Sequence, residues 1–137
     1  MAAVGGLVTN AAGKLLLVRR ARDPGKGKWG LPGGFVDRGE SVEQALEREI
    51  LEETQLVVTN SKYLMTHPNS YNYQGVVAPV IDLFYTCRVE SLGDLELAKE
   101  ELEHFEWTDP TPDHLNNMAF DSNRIAIEFW MGLYQNP

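Results

Sequence analysis

Apolar residues recur along this chain in two rhythms, and the changes between them mark its elements. Ala2–Thr9 and Lys14–Arg20 are apolar runs of strand length separated by Asn10-Ala-Ala-Gly13, a hairpin signal. A basic loop rich in glycine and lysine follows over 21–30, and Leu31-Pro-Gly-Gly-Phe35 holds too much Gly and Pro for a helix, so it reads as a short strand and turn. From Ser41 the period becomes helical. Ser41-Val-Glu-Gln44 is a capping-box pattern, and good helix formers continue to about Thr54. Leu56–Val58, Lys62–His67 and Val76–Val89 return to strand character, with Pro79 suggesting an edge position or a bulge. His104–Thr108 reads as a further short strand and Asp109–Asn116 as a short helical turn. Asp121 is placed to cap a last helix in which Ile125, Phe129, Trp130 and Leu133 form one apolar stripe. Mixed strands flanked by two helices predict a layered α/β domain, and no repeat or linker divides residues 1–137.

Composition narrows the classes. The 137 residues suit one domain with a core of its own. A formal net charge of −8 argues against a long nucleic acid partner, because such binding depends on basic patches. No apolar run is long enough to span a bilayer, and the first residues do not read as a secretory signal. Cys87 is the only cysteine, which excludes an internal disulfide and suits a reducing, cytoplasmic setting; it reads as a small buried side chain in a strand.

The segment from Gly34 to Leu56 carries the chemistry. On a helical wheel, Val42, Ala45 and Leu46 mark the face that should point to the core, and Glu49, Glu52 and Glu53 continue it. Carboxylates at these spacings repel, and burying them costs more still unless the charge is compensated. Arg48 can pair with Glu52, yet one guanidinium cannot neutralise three carboxylates, whereas a hard divalent cation with oxygen ligands can. A solvated acidic face is the other reading of the helix taken alone. Upstream, Gly33 and Gly34 let the backbone come close to a ligand or offer a carbonyl as a further oxygen.

The full pattern is Gly34, five residues, Glu40, seven residues, Arg48-Glu49-Ile50, one residue, Glu52-Glu53, two residues and Leu56. This resembles the Nudix box. Matches at all these positions in one frame arise by chance on the order of once in a million chains at average residue frequencies. One position departs: Gln55 stands where the family has a helix-ending glycine, so either Gln55 takes a strained left-handed conformation or the helix ends differently. Trp29-Gly-Leu-Pro-Gly-Gly-Phe-Val, leading into the box, is also similar to Nudix proteins.

The resemblance implies a Nudix-type α/β/α sandwich, with a mixed curved sheet between helices. It implies that Glu49, Glu52 and Glu53 hold Mg²⁺ or Mn²⁺, with Glu40 and Arg48 orienting the box loop through an ion pair or Arg48 acting directly. A carboxylate six residues ahead of Trp107 would be the general base, which selects Glu101, with Glu100 beside it and Glu53 as the alternative. The implied activity is metal-dependent cleavage of a diphosphate in a nucleoside diphosphate linked to another moiety, such as NADH or ADP-ribose. Alternatives are a house-cleaning (d)NTP pyrophosphatase and a non-catalytic nucleotide-binding module. Tyr71 and Tyr73, in a region faintly similar to the NADH-pyrophosphatase branch, are candidates to stack on a base, and Arg19, Arg20 and Arg22 to contact phosphates. A homodimer is common in the family and is left open.

Overall fold

The computed structural model describes residues 1–90 and 95–134. Its strands are β1 (Ala2–Val8), β2 (Leu15–Arg20), β3 (Trp29–Gly30), β4 (Gly33–Phe35), β5 (Val58–Tyr73), β6 (Val76–Val89) and β7 (Leu102–Thr108). Its helices are α1 (Val42–Thr54), α2 (Pro112–Asn116) and α3 (Asp121–Tyr134). One sheet runs β4-β1-β6-β5, parallel between β1 and β6 and antiparallel elsewhere; the other runs β3-β2-β7 and is antiparallel throughout.

The layers follow from strand alternation. Val4, Val8, Tyr85 and Cys87 face α1, meeting Ala45, Leu46 and Ile50. Leu7 and Phe84 face the other way and meet Ala126, Ile127 and Trp130 of α3. In β2, Leu16 and Val18 join the first cluster while Leu15 and Leu17 join the second. The result is the expected α/β/α sandwich. No helix among the described residues is long and apolar enough to cross a membrane.

Helix α1 begins as its capping box dictates. Ser41 Oγ accepts from the Gln44 N–H at 3.1 Å and Gln44 Oε1 accepts from the Ser41 N–H at 2.9 Å. It ends at Gln55, left-handed at φ 62, whose N–H donates to the Leu51 carbonyl. The terminus keeps a glycine-type geometry without the glycine, at a cost of about 1 kcal/mol.

Several expectations need correction. The turn at Asn10–Gly13 forms, with the Asn10 N–H donating to the Lys14 carbonyl, but β1 and β2 part after the single bridge Thr9↔Leu15. Both strands are buried on two faces, so each enters a different sheet with neighbours of its own. Of the strand expected at Leu56–Val58 only Val58 is extended in a sheet, and it begins one long strand that also takes in Lys62–His67 and the segment after it. Register shifts between Val58/Asn60 and Tyr63/Met65 absorb the turn-like residues, because continuous pairing with β6 outweighs their local preference. Pro79 lies where β6 has outrun β1, whose pairing begins at Ala2↔Ile81, so no neighbour is lost on that side. In α3 the buried face is Ser122, Asn123, Ala126, Ile127 and Trp130; Phe129 and Leu133 are exposed. Asp121 is the first helical residue rather than a cap, and its carboxylate accepts from the Arg124 guanidinium.

Candidate active site

On α1 the buried face continues past Ile50 into a carboxylate. Glu53 is 6% exposed. The edge strand β4 passes close enough for the Gly33 N–H to donate to Glu53 Oε1 at 2.7 Å. Only glycine permits this approach. A Cβ on Gly33 would stand 2.0 Å from the Val4 carbonyl oxygen, and one on Gly34 would stand 2.5 Å from the carboxyl of Glu49.

Glu49 and Glu53 line one cavity of about 320 Å³, large enough for a small ligand. Burial pushes the Glu53 carboxyl up to about 8; the Gly33 N–H pulls it down, and Glu49 and Glu101 push it further up. Burial also raises Glu49, opposed by the Arg48 guanidinium and reinforced by Glu52 and Glu101. A buried and a partly buried carboxylate on one cavity wall repel each other as anions, a cost that a further cation between them would offset.

Arg48 is a hub behind this pair. Its guanidinium donates to both oxygens of Glu40 at 2.6 and 2.9 Å, to the Phe35 carbonyl at 3.1 Å and to Glu49 at 2.8 Å. The ion pair holds the Glu40 carboxyl down at about 2. Helix α1 is thereby tied to the loop that precedes it, as anticipated. Neither Arg48 nor Glu40 lines the cavity. Glu52 departs from expectation: its side chain is 57% exposed, touches Arg48 at 3.3 Å and lies off the cavity wall.

Across the cavity stand residues from distant segments. Glu101 lines it, bonded to Arg22 at 3.2 Å, while Glu100 is exposed. Arg20 lines it too, with its guanidinium over the Phe120 ring at 5.2 Å. Arg19 does not. Successive side chains on a strand point to opposite faces, and Arg19 lies over Trp29 and bonds Glu103 instead. Tyr71 lines the cavity, stacked on Phe120 at 5.9 Å and edge-on to Phe35 at 5.0 Å; the side chain of Tyr73 lies outside the described residues.

Sequence reasoning missed Asn69, Asp82, Phe120 and Asn123, which also face the cavity. One signal was present: Asp82 is a lone carboxylate inside the apolar run Val80-Ile-Asp-Leu-Phe84.

The donors suit a hard cation. Every acidic group at the Glu49–Glu53 end offers oxygen, the ligand that Mg²⁺ and Mn²⁺ prefer. Among the described residues, no three His, Cys, Asp or Glu side chains converge as a ready-made ion cage. Glu49 and Glu53 are the cavity residues that would hold such an ion, which would neutralise phosphate charge there.

Comparison with known proteins points the same way. The NUDIX domain family matches residues 1–125. An ADP-ribose pyrophosphatase of Methanocaldococcus jannaschii is 32% identical over 117 residues, covering 85% of this chain and 65% of the relative. The MutT NUDIX hydrolase of Burkholderia pseudomallei superposes with a TM-score of 0.75 at 26% identity, over 93% of this chain and 95% of that one. The NUDIX domain of Shewanella oneidensis NrtR, solved with ADP ribose, superposes with a TM-score of 0.74 at 28% identity, over 97% and 87%. The chain spans 65% and 54% of the full lengths of two curated relatives that it matches. With Glu49 and Glu53 of α1 set against the glycines of β4 and the family matched across residues 1–125, the chain belongs to the NUDIX domain family.

Proposed function

We propose that the chain hydrolyses the diphosphate link of a nucleoside diphosphate joined to a second group, ADP-ribose and NADH being the first of that class to try, with Mg²⁺ or Mn²⁺ held by Glu49 and Glu53. The observation that carries this reading is the buried Glu53 carboxylate with the partly buried Glu49 beside it in the wall of a cavity of ligand size. When bound, such an ion neutralises phosphate charge and lowers the pKa of the attacking water.

The remaining roles fall to side chains. Arg20 is placed to pair with phosphate oxygens, and Arg22 can join it by leaving Glu101. Glu101 is the group to take the proton from water. Tyr71 and Phe120 offer a stacking surface for a base, worth about 1–3 kcal/mol. Glu52, exposed and off the cavity wall, is a weaker candidate ligand than Glu49 and Glu53. ADP-ribose is favoured because a relative is named as its pyrophosphatase and a structural neighbour was solved with it.

The test is turnover of ADP-ribose, NADH and nucleoside triphosphates with Mg²⁺, Mn²⁺ or chelator, with products identified. Metal-dependent cleavage of the diphosphate-linked substrates to two monophosphates is expected; binding without turnover would overturn the reading. Within it, Glu101→Gln should lower kcat by about a hundredfold or more, the usual share of a general base. The same variant should keep the Mg²⁺-dependent rise in melting temperature. Loss of that rise would make Glu101 a metal ligand instead.

The glycines give a second check. Gly34→Ala meets only the end of a flexible side chain, so it should fold, but it displaces the Glu49 carboxylate and should cost about a hundredfold in kcat/KM. Gly33→Ala meets backbone and should destabilise by about 3 kcal/mol or more. Circular dichroism melts alongside kinetics separate the two; equal effects would contradict the packing described.

A further inference from the structure

We propose that Asp82 reads the end of the substrate remote from the diphosphate, accepting a pair of adjacent hydrogen-bond donors from a ribose diol or from the amino–imino edge of a purine. The inference rests on the hydrolase reading above and goes further, to what selects the substrate.

Asp82 stands on the same face of β6 as Val80 and Phe84, is 6% exposed and lines the cavity. An apolar side chain would serve the sandwich there without the cost of burying a carboxylate. Ser122 Oγ donates to Oδ2 at 2.5 Å, and the Asn69 amide also favours the charged form. A carboxylate has about four acceptor positions, so these contacts hold the group in place and leave acceptor capacity on the cavity side. Burial raises its affinity for a proton, opposed by the Ser122 and Asn69 hydrogen bonds and by His67.

Sheet register supplies a ruler. Phe35, Ala3 and Asp82 lie in one row across β4, β1 and β6. Two strand spacings of roughly 4.8 Å place Asp82 about 10 Å from the strand that supports Glu49 and Glu53, a nucleoside's reach from a diphosphate. Charge then fixes the substrate's polarity. Phosphates are repelled at Asp82 and drawn toward Arg20, so the end that reaches Asp82 must be uncharged and rich in donors. Two adjacent donors suit a carboxylate, whereas the one-donor, one-acceptor edge of adenine suits an amide.

The experiment compares kcat/KM for matched substrates in the wild type and in Asp82→Asn. Guanosine diphosphate-linked substrate is paired with its inosine counterpart, which lacks the 2-amino group; ADP-ribose is paired with the analogue lacking the 2′ and 3′ hydroxyls of the terminal ribose. The wild type should prefer the full substrate in one pair by about tenfold or more, and Asp82→Asn should erase that preference by slowing the full substrate more than its analogue. The pair that responds identifies the donor source. A wild type that treats both pairs alike overturns the proposal, as does a variant that slows both members of each pair equally. The wild-type comparison needs no variant, so a poorly folding Asp82→Asn protein leaves the question decidable. A wild type that cleaves no substrate in either pair sinks the hydrolase reading itself, and this inference with it.

Discussion

Replacing Glu53 by glutamine should lower kcat by about three orders of magnitude, equivalent to about 4 kcal/mol of transition-state stabilisation, while making the metal-free protein more stable. Both effects come from one charge. Glutamine keeps the acceptor for the Gly33 N–H, so packing survives, but it removes the anion that would hold the cation. The buried carboxyl titrates at about 8 against an ordinary 4.5, so between those values the folded chain holds a proton that the unfolded chain has released. The stabilisation tied to that proton is fully present below 4.5 and is lost as pH rises through 8. Glutamine does not titrate. In chelator, its advantage in melting temperature should therefore grow from pH 5 to pH 8.5, reaching several degrees, where about 1 kcal/mol corresponds to roughly 4 °C for a domain of this size. Added Mg²⁺ should raise the melting temperature of the wild type and leave the variant unmoved. A variant less stable than the wild type in chelator at alkaline pH would mean that Glu53 is a satisfied structural residue.

Arg48→Lys should cost about tenfold to a hundredfold in kcat/KM although charge is conserved. One guanidinium reaches both oxygens of Glu40, the Phe35 carbonyl and Glu49 together; an ammonium on a flexible stem cannot span that set. The loss should appear as weaker metal affinity, because Glu49 loses its support, and excess Mg²⁺ should recover part of it. The stability effect has a definite sign. Glu40 is held down at about 2, so its contribution is present above 4.5 and is lost as pH falls through 2. The melting-temperature gap between Arg48→Lys and the wild type should therefore narrow in acid. A pH-independent gap would place the effect in packing rather than in the ion pair.

How much of this was legible depended on whether the signal was local. The α1 boundaries could be read because Ser41 and Gln44 satisfy each other within one turn. The Glu40–Arg48 pair could be read from box spacing, and the strain at Gln55 from the missing glycine. Glu52 was misplaced by treating three glutamates as one face. At 100° per residue, Glu53 falls near the centre of the arc set by Ala45, Leu46 and Ile50, whereas Glu52 falls just past its rim at Ala45, and only the packing decided that its side chain is exposed. Arg19 and Arg20 were indistinguishable as neighbours; only the pairing of β2 decided which one faces the cavity.

The sequence by itself determined a layered α/β class, the span and cap of α1, and the chemical nature of its buried end, because helix period, capping and carboxylate repulsion act over a few residues. Tertiary structure decided the rest: that β1 and β2 enter different sheets, that β5 is one long strand, and that Asp82, Phe120 and Glu101 share a cavity with Glu53. These residues lie dozens of positions apart and carry no mutual period. What brings them together is strand pairing and burial summed over the whole chain, which no short window of sequence contains.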